Sequence, residues 1–153
     1  MQSGRTSFSV MVADDSPNDL FLLRRSLGNH PRLAIVAEVP NGEDAIDYLA
    51  GRGKYSDRQQ FPLPDLLVLD IRMPRVNGFE VLAWLQNQDF PNLKTLMLSG
   101  SALASDRDQA LALGAHDFHT KAGSREQREQ IVAAMEALLN QQPAQTAAQP
   151  AQF

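Results

Sequence analysis

Five polar residues stand at the ends of short apolar stretches, and their types could do chemistry together. They are Asp14, Asp15, Asp70, Ser99 and Lys121. Short apolar runs bounded by turn signals are typical of strands buried on both faces of a parallel sheet. In such sheets ligands bind beyond the carboxyl ends of the strands. We therefore expect the three carboxylates, the hydroxyl and the ammonium to meet at one edge.

Three neighbouring carboxylates repel one another, so one would take up a proton near neutral pH unless a cation compensates. Ligands that are all oxygen suit a hard divalent ion such as Mg²⁺. Together with a hydroxyl and a lysine, this set predicts a phosphoryl site. Asp70 would be the nucleophile, and Ser99 and Lys121 would each bind a phosphoryl oxygen. The chain has no glycine-rich phosphate loop, so the phosphoryl donor is expected to come from another molecule.

Strands and helices alternate five times along the chain, which positions these side chains. Such alternation predicts an α/β fold with a doubly wound, flavodoxin-like parallel sheet covered by helices on both faces. In the strand order 2-1-3-4-5 the switch point lies between the first and third strands, beside Asp14, Asp15 and Asp70. The predicted strands are 8–13, 33–39, 65–70, 93–98 and 115–120.

Capping residues and glycines define the predicted helices. Ser16 and Pro17 begin the first helix, and Ser124 caps the last, which carries an apolar stripe. Ser105 and Asp106 are predicted to cap the fourth helix, which ends near residue 113. The polar segment 51–64 is predicted to be a loop longer than usual, either a tolerated insertion or a partner contact.

The composition fits one soluble domain of 153 residues with a net charge of −4. This charge argues against binding to nucleic acid or to an anionic membrane, and no apolar run is long enough to span a bilayer. The absence of cysteine excludes disulfides and thiolate chemistry. We expect one cytoplasmic domain at residues 8–140, with disordered segments at 1–7 and 141–153.

Several motifs together resemble the receiver domain of two-component response regulators over about residues 8–140. They are the Asp14-Asp15 pair, the turn from Asp70 through Met73-Pro74 to Asn77-Gly78, Leu98-Ser99-Gly100, Gly114-Ala115, and Lys121. The long loop before the third strand is similar to single-domain receivers of the phytochrome-associated type.

The resemblance implies that Asp70 accepts a phosphoryl group from a histidine kinase or phosphotransfer protein. It implies that Asp15, Asp70 and the Arg72 carbonyl bind Mg²⁺, with Asp14 helping through water. It also implies that Ser99, Gly100 and Lys121 bind the phosphoryl group. Phosphorylation would then alter binding to a protein target, or formation of a homodimer through the fourth helix, fifth strand and fifth helix.

Two residues depart from the family pattern. Ala122 stands where the family usually has a proline after the lysine, and a cis bond before alanine costs about 3 kcal/mol relative to trans. Phe118 stands at the position of the family's switch aromatic, where it has no hydroxyl to donate. Phe118 either moves with Ser99 on phosphorylation or simply packs in an edge strand.

Two alternative functions compete with a phosphorylation switch. One is an adaptor of the same fold that binds partners regardless of phosphorylation. The other is a phosphatase of the haloacid-dehalogenase type, which also uses an aspartyl nucleophile and Mg²⁺. That class needs a second aspartate two residues after the nucleophile, where this chain has Arg72. We therefore expect a phosphoacceptor signalling domain rather than an enzyme.

Overall fold

The computed structural model describes residues 7–121 and 123–140, in which five strands and five helices alternate. The strands are β1 (Phe8–Ala13), β2 (Leu33–Val39), β3 (Leu66–Leu69), β4 (Lys94–Ser99) and β5 (Asp117–Thr120). The helices are α1 (Pro17–Leu27), α2 (Gly42–Ala50), α3 (Gly78–Leu85), α4 (Ala104–Ala112) and α5 (Arg125–Leu139). The predicted disordered segments 1–7 and 141–153, apart from Ser7, lie outside the described residues, as does Ala122.

All five strands are parallel and lie in the order β2-β1-β3-β4-β5, which confirms the predicted fold class. The register brings the strand ends level: Ala13 pairs with Leu69, and Leu69 pairs with Met97. Asp14 and Asp70, which directly follow β1 and β3, therefore leave the sheet side by side at its switch point.

Side chains that alternate along the strands fill two hydrophobic layers, one on each face of the sheet. On one face, Met11, Leu67 and Met97 pack under α2 and α3. On the other face the strands pack under α1 and α5, whose predicted stripe of Ile131, Met135, Leu138 and Leu139 is buried. All four residues of β3 are buried, because both faces of this central strand are covered.

The fourth helix begins differently from the prediction. Its N-cap is Leu103, which offers no side-chain hydrogen bond, so the predicted cap at Ser105 and Asp106 was wrong. The hydroxyls that make turns lie upstream: Ser99 Oγ accepts the Ser101 N–H, and Ser101 Oγ accepts the Leu103 N–H. Because these turns set the backbone early, Ser105 is already inside the first helical turn.

The predicted long loop 51–64 contains a small ordered cluster rather than only polar chain. A single turn of 3-10 helix, Gly53–Tyr55, places the Tyr55 ring 5.1 Å from the Tyr48 ring and 5.2 Å from the Phe61 ring. Arg58 donates to the carbonyl oxygens of Tyr48 and Leu49 at the end of α2. The N–H of the C-cap residue Gly51 also donates to the Tyr48 carbonyl, so Arg58 adds to the cap of α2 and fastens the loop to the helix.

Candidate functional site

Three aspartates meet at the carboxyl edge of the sheet. Asp14 and Asp70 are 4% and 5% exposed, whereas Asp15 faces solvent. One carboxylate oxygen of each lies within 4.8 Å of the others, which is close enough for all three to hold one cation. The predicted convergence of the acidic residues is therefore present in the fold.

The backbone around Asp70 fixes its position. The Asp70 N–H donates to the Ala13 carbonyl at 3.0 Å, and the Gly78 N–H donates to the Ile71 carbonyl at 2.8 Å. A Cβ on Gly78 would lie 2.3 Å from the Asp70 carbonyl oxygen, so only glycine allows this approach. The turn after β3 thus folds back against the strand end and leads directly into α3, whose Asn77 and Glu80 form a capping box.

Lys121 directly follows the edge strand β5, and its ammonium lies against the acidic residues. Its Nζ lies 3.0 Å from Asp14 Oδ2, 3.2 Å from Asp70 Oδ2 and 2.7 Å from Asp19 Oδ2. Its backbone N–H donates to the Ser99 carbonyl at 2.6 Å. The lysine is thereby held from both ends, although the following Lys121–Ala122 bond lies outside the described residues.

Asp19 was not among the residues predicted from the sequence. It lies in the first turn of α1 and makes the shortest of the three ion pairs with Lys121. An acidic residue in the first turn of a helix is already explained by the helix dipole. The type and position of Asp19 therefore did not indicate its contact with Lys121, 102 residues away.

Burial and charge shift the protonation of the two central groups. The pKa of the Asp70 carboxyl is raised from 3.8 to about 6, first by burial and second by the Asp14 charge, against the lowering effect of Lys121. Burial lowers the pKa of the Lys121 ammonium, but hydrogen bonds to Asp19 and Asp14, with the charges of Asp14 and Asp70, outweigh burial and raise it overall. Asp70 is thus mostly ionised at neutral pH, in a place where its charge is costly.

Ser99 and Gly100 form the turn that borders Lys121. Ser99 is buried, and its hydroxyl accepts the Ser101 N–H at 3.0 Å, whereas Gly100 is exposed with open space around it. The hydroxyl therefore already has a hydrogen-bond donor, and its own proton is available to a further acceptor.

Arg72 lies in the turn after Asp70, beside the exposed acid. Arg72, Met73, Pro74 and Asn77 line a shallow hollow together with Asp15. The Arg72 guanidinium itself points elsewhere and lies 3.6 Å from Asp106 Oδ2 in α4. That oxygen is buried without a hydrogen bond, so the ion pair is its main compensation.

Phe118 is buried and packs with Ala110 and Ala115 in the core layer under α4. Its carbonyl accepts a hydrogen bond from Arg107 Nη1 at 3.2 Å, which ties β5 to α4. The ring therefore occupies an inward position in this structure.

The donor set fits a hard divalent cation. Asp14, Asp15 and Asp70 offer only oxygen, and repulsion between buried carboxylates is what such an ion relieves. Mg²⁺ binds through one or two carboxylates and keeps several waters, which the exposed side of Asp15 leaves room for. Among the residues that the structure describes, no helix has the length and apolar character that crossing a membrane would require.

Comparison with known proteins gives a consistent result. The family model for the response regulator receiver domain matches residues 10–136. The chain is 38% identical over 123 residues to a protein-glutamate methylesterase of Rhodospirillum centenum, covering 79% of this chain and 28% of that protein. It is 35% identical over 115 residues to an uncharacterised 14.6 kDa protein of Leptolyngbya boryana, covering 73% and 77%. It also spans 55% of the Mycobacterium bovis response regulator MprA, at 34% identity over 94% of this chain.

Similar solved structures include regulators associated with phytochromes. The phosphorylated cyanobacterial phytochrome response regulator RcpA superposes with a TM-score of 0.74 at 28% identity, covering 88% of this chain and 94% of RcpA. The Mn²⁺-bound response regulator Rcp1 gives a TM-score of 0.71 at 25% identity, covering 85% and 92%. The bacteriophytochrome response regulator AtBRR gives 0.67 at 25% identity, covering 86% and 92%.

Proposed function

The chain belongs to the response regulator receiver family of two-component systems, and we propose that it accepts a phosphoryl group on Asp70. The donor would be a histidine kinase or a phosphotransfer protein. The observation that carries this proposal is the position of Asp70: buried at a strand end, with two carboxylates and an ammonium against it. Residues 8–140 would form the receiver domain, acting in the cytoplasm.

In the proposed reaction, an Asp70 carboxylate oxygen attacks phosphorus of a phosphohistidine. A bond forms between Asp70 Oδ and phosphorus, the P–N bond breaks, and the imidazole keeps the electron pair. The acyl phosphate that results is stabilised by donors that are already in place. Lys121 Nζ, 3.2 Å from Asp70 Oδ2, would donate to one phosphoryl oxygen. The Ser99 hydroxyl and the Gly100 N–H would donate to others.

Asp15, Asp70 and the Arg72 carbonyl would hold Mg²⁺, with Asp14 acting through a bound water. When bound, the ion would offset negative charge that develops on the phosphoryl oxygens. Two similar structures, the phosphorylated RcpA and the Mn²⁺-bound Rcp1, support this pairing of phosphoryl group and divalent cation.

The output would be a shift between two states of the face formed by α4, β5 and α5. As Ser99 turns toward the phosphoryl group, Phe118 would repack against α4 and change how this face binds a target or a second copy of the protein. Leu103, the N-cap of α4, and Leu111 within the helix are exposed and would be available to such a partner.

The two alternatives have less support. A phosphorylation-independent adaptor does not need the raised pKa and close approach of the carboxylates. A phosphatase of the haloacid-dehalogenase type would need an acid where Arg72 stands, yet the Arg72 guanidinium lies against Asp106. We therefore propose a signalling domain and not an enzyme with its own substrate; the methylesterase relative is an enzyme by name, but this chain matches only 28% of its length.

The proposal is tested by intact mass measurement after incubation with acetyl phosphate, with and without Mg²⁺. Wild type and Asp44→Asn, a control in the first turn of α2 whose carboxylate accepts a hydrogen bond from Asn41, should each gain one phosphoryl group only with Mg²⁺. Asp70→Asn should gain none. Equal gain by Asp70→Asn would refute the assignment of the acceptor, and no gain by wild type would favour the adaptor. Sustained turnover of small phosphate esters would favour the phosphatase.

A further inference from the structure

We propose that Asp19 is a positioning residue that holds the Lys121 ammonium at the phosphoacceptor before and after phosphoryl transfer. This inference rests on the proposed function and deepens it. Asp19 Oδ2 lies 2.7 Å from Lys121 Nζ, closer than either Asp14 or Asp70. The pair is partly shielded, with side chains 32% and 20% exposed, so its attraction is stronger than that of a pair on the open surface.

The start of α1 leaves the Asp19 carboxylate free to serve Lys121. Asp19 is the third residue of the helix, and its N–H donates to the Ser16 cap. In a capping box the side chain at this position returns to the N–H of the cap residue, as Gln127 does to Ser124 in α5. In α1 that N–H instead donates to Asp14 Oδ1 at 2.9 Å. The Asp19 side chain is therefore not needed to cap the helix, and it accepts a hydrogen bond from Lys121, which directly follows β5.

The hydrogen bonds of the ammonium explain why this contact matters for transfer. A lysine ammonium has three N–H donors, and three carboxylates take them here. In the proposed mechanism Asp70 becomes an acyl phosphate, and Asp14 serves the metal. Asp19 is the one carboxylate of the three with neither task. It can keep its bond to Lys121 while the other two donors change partners.

The surroundings give Lys121 freedom to move once Asp19 is removed. A cavity between α1 and α5, lined by Leu22, Leu98, Arg128 and Ile131 in addition to the ion pair, lies next to the ammonium. Without the Asp19 carboxylate, the ammonium depends on Asp14 and Asp70 alone, and the open space beside the side chain lets it shift when these two change partners. The effect on transfer would then come from lost orientation.

The first test compares the rates at which acetyl phosphate labels wild type, Asp19→Asn and Asp44→Asn at fixed Mg²⁺. Asp44 is the matched control, because it is also the third residue of a helix with its N–H on the cap side chain, but it contacts no lysine. Positioning predicts labelling about fivefold slower in Asp19→Asn and unchanged in Asp44→Asn. Loss of negative charge alone predicts the opposite, faster attack on an anionic donor, and that result would overturn the proposal.

Two further variants separate positioning from a structural effect. In a Lys121→Met background, Asp19→Asn should no longer slow labelling, because there is no ammonium to position. Asp19→Glu should recover part of the rate. A slowing of equal size in the Lys121→Met background would mean that Asp19 acts on the fold, and would overturn the inference.

A readout without phosphorylation keeps the two proposals distinguishable. NMR relaxation of the Lys121 side chain should show greater motion in Asp19→Asn than in wild type or Asp44→Asn. If wild type is not labelled by acetyl phosphate but Lys121 is loosened by Asp19→Asn, the proposed function fails and the positioning stands. If wild type is labelled and the Lys121 side chain is equally rigid in wild type and Asp19→Asn, only the positioning role of Asp19 is refuted.

Discussion

At the scale of single residues, Asp70 is both the reactive group and a source of instability. Its carboxylate is buried beside Asp14, and these two causes raise its pKa to about 6. A group whose pKa is higher in the folded than in the unfolded state binds its proton more tightly when folded. Folding is therefore destabilised as the pH rises from about 4 through 6 and the native carboxyl ionises.

Asp70→Asn is accordingly expected to be more stable than wild type at pH 7 without Mg²⁺. The difference should be at most roughly 3 kcal/mol, the cost of raising the pKa of Asp70 from 3.8 to about 6. Urea unfolding between pH 4 and pH 8 measures it: the advantage of Asp70→Asn should grow up to about pH 6 and then level off. A constant difference across this range would contradict the assigned cause. Mg²⁺ should narrow the gap, because the ion binds the folded wild type.

Gly78 is a second residue on which the site depends, because its Cα presses against the backbone of Asp70. Gly78→Ala should destabilise the fold by about 2–3 kcal/mol, since the new Cβ would sit 2.3 Å from the Asp70 carbonyl oxygen. Gly100→Ala is the control, because a Cβ there has no atom within 4 Å. Thermal unfolding of both variants tests the difference. Similar stability of the two variants would mean that the turn after β3 accommodates the added methyl group, and would contradict the prediction.

At the scale of elements, the Arg58 side chain fastens the segment between α2 and β3 to the end of α2. Arg58 donates to the carbonyls of Tyr48, Leu49 and Phe61. It thereby caps the carboxyl end of α2, where a positive charge also complements the helix dipole. The aromatic rings of Tyr48, Tyr55 and Phe61 close over this cap.

Arg58→Ala should therefore destabilise the protein by about 2 kcal/mol, because it removes the side-chain donors to the Tyr48 and Leu49 carbonyls at the end of α2. Arg52→Ala in the same loop is the matched control. The Arg52 side chain is 59% exposed, and its Nη1 lies 3.6 Å from Asp47 Oδ1, which is long for an ion pair. That variant should change stability by less than about 0.5 kcal/mol. Guanidinium unfolding of both proteins decides the matter, and equal losses would count against the capping role.

At the scale of the whole molecule, the proximity of the candidate site residues was predictable because each of them stands at the end of its own strand. Asp14, Asp70 and Lys121 are far apart in the sequence, but a parallel sheet brings all strand ends to one edge. The alternation of elements and these residue types were enough to predict that the side chains lie close together. No detailed geometry was needed.

Other features could not be predicted from the sequence, because they depend on contacts that the residue types do not indicate. The Asp19–Lys121 pair joins a helix start to an edge strand, and nothing in the spacing of the two residues links them. The start of α4 was misplaced because hydroxyls at Ser99 and Ser101 make turns upstream of the predicted cap. The order within loop 51–64 arises from Arg58, whose carbonyl partners become neighbours only after α2 has formed.

The central claim is that Asp70 carries the phosphoryl group, and borohydride trapping tests it most directly. Borohydride reduces an aspartyl phosphate to an alcohol, so peptide mapping of protein treated with acetyl phosphate and Mg²⁺ identifies the modified residue. We expect homoserine at position 70 and at no other aspartate, and none without Mg²⁺. Homoserine at position 14, 15 or 19, or an unmodified aspartate at position 70 under conditions that label the protein, would contradict it.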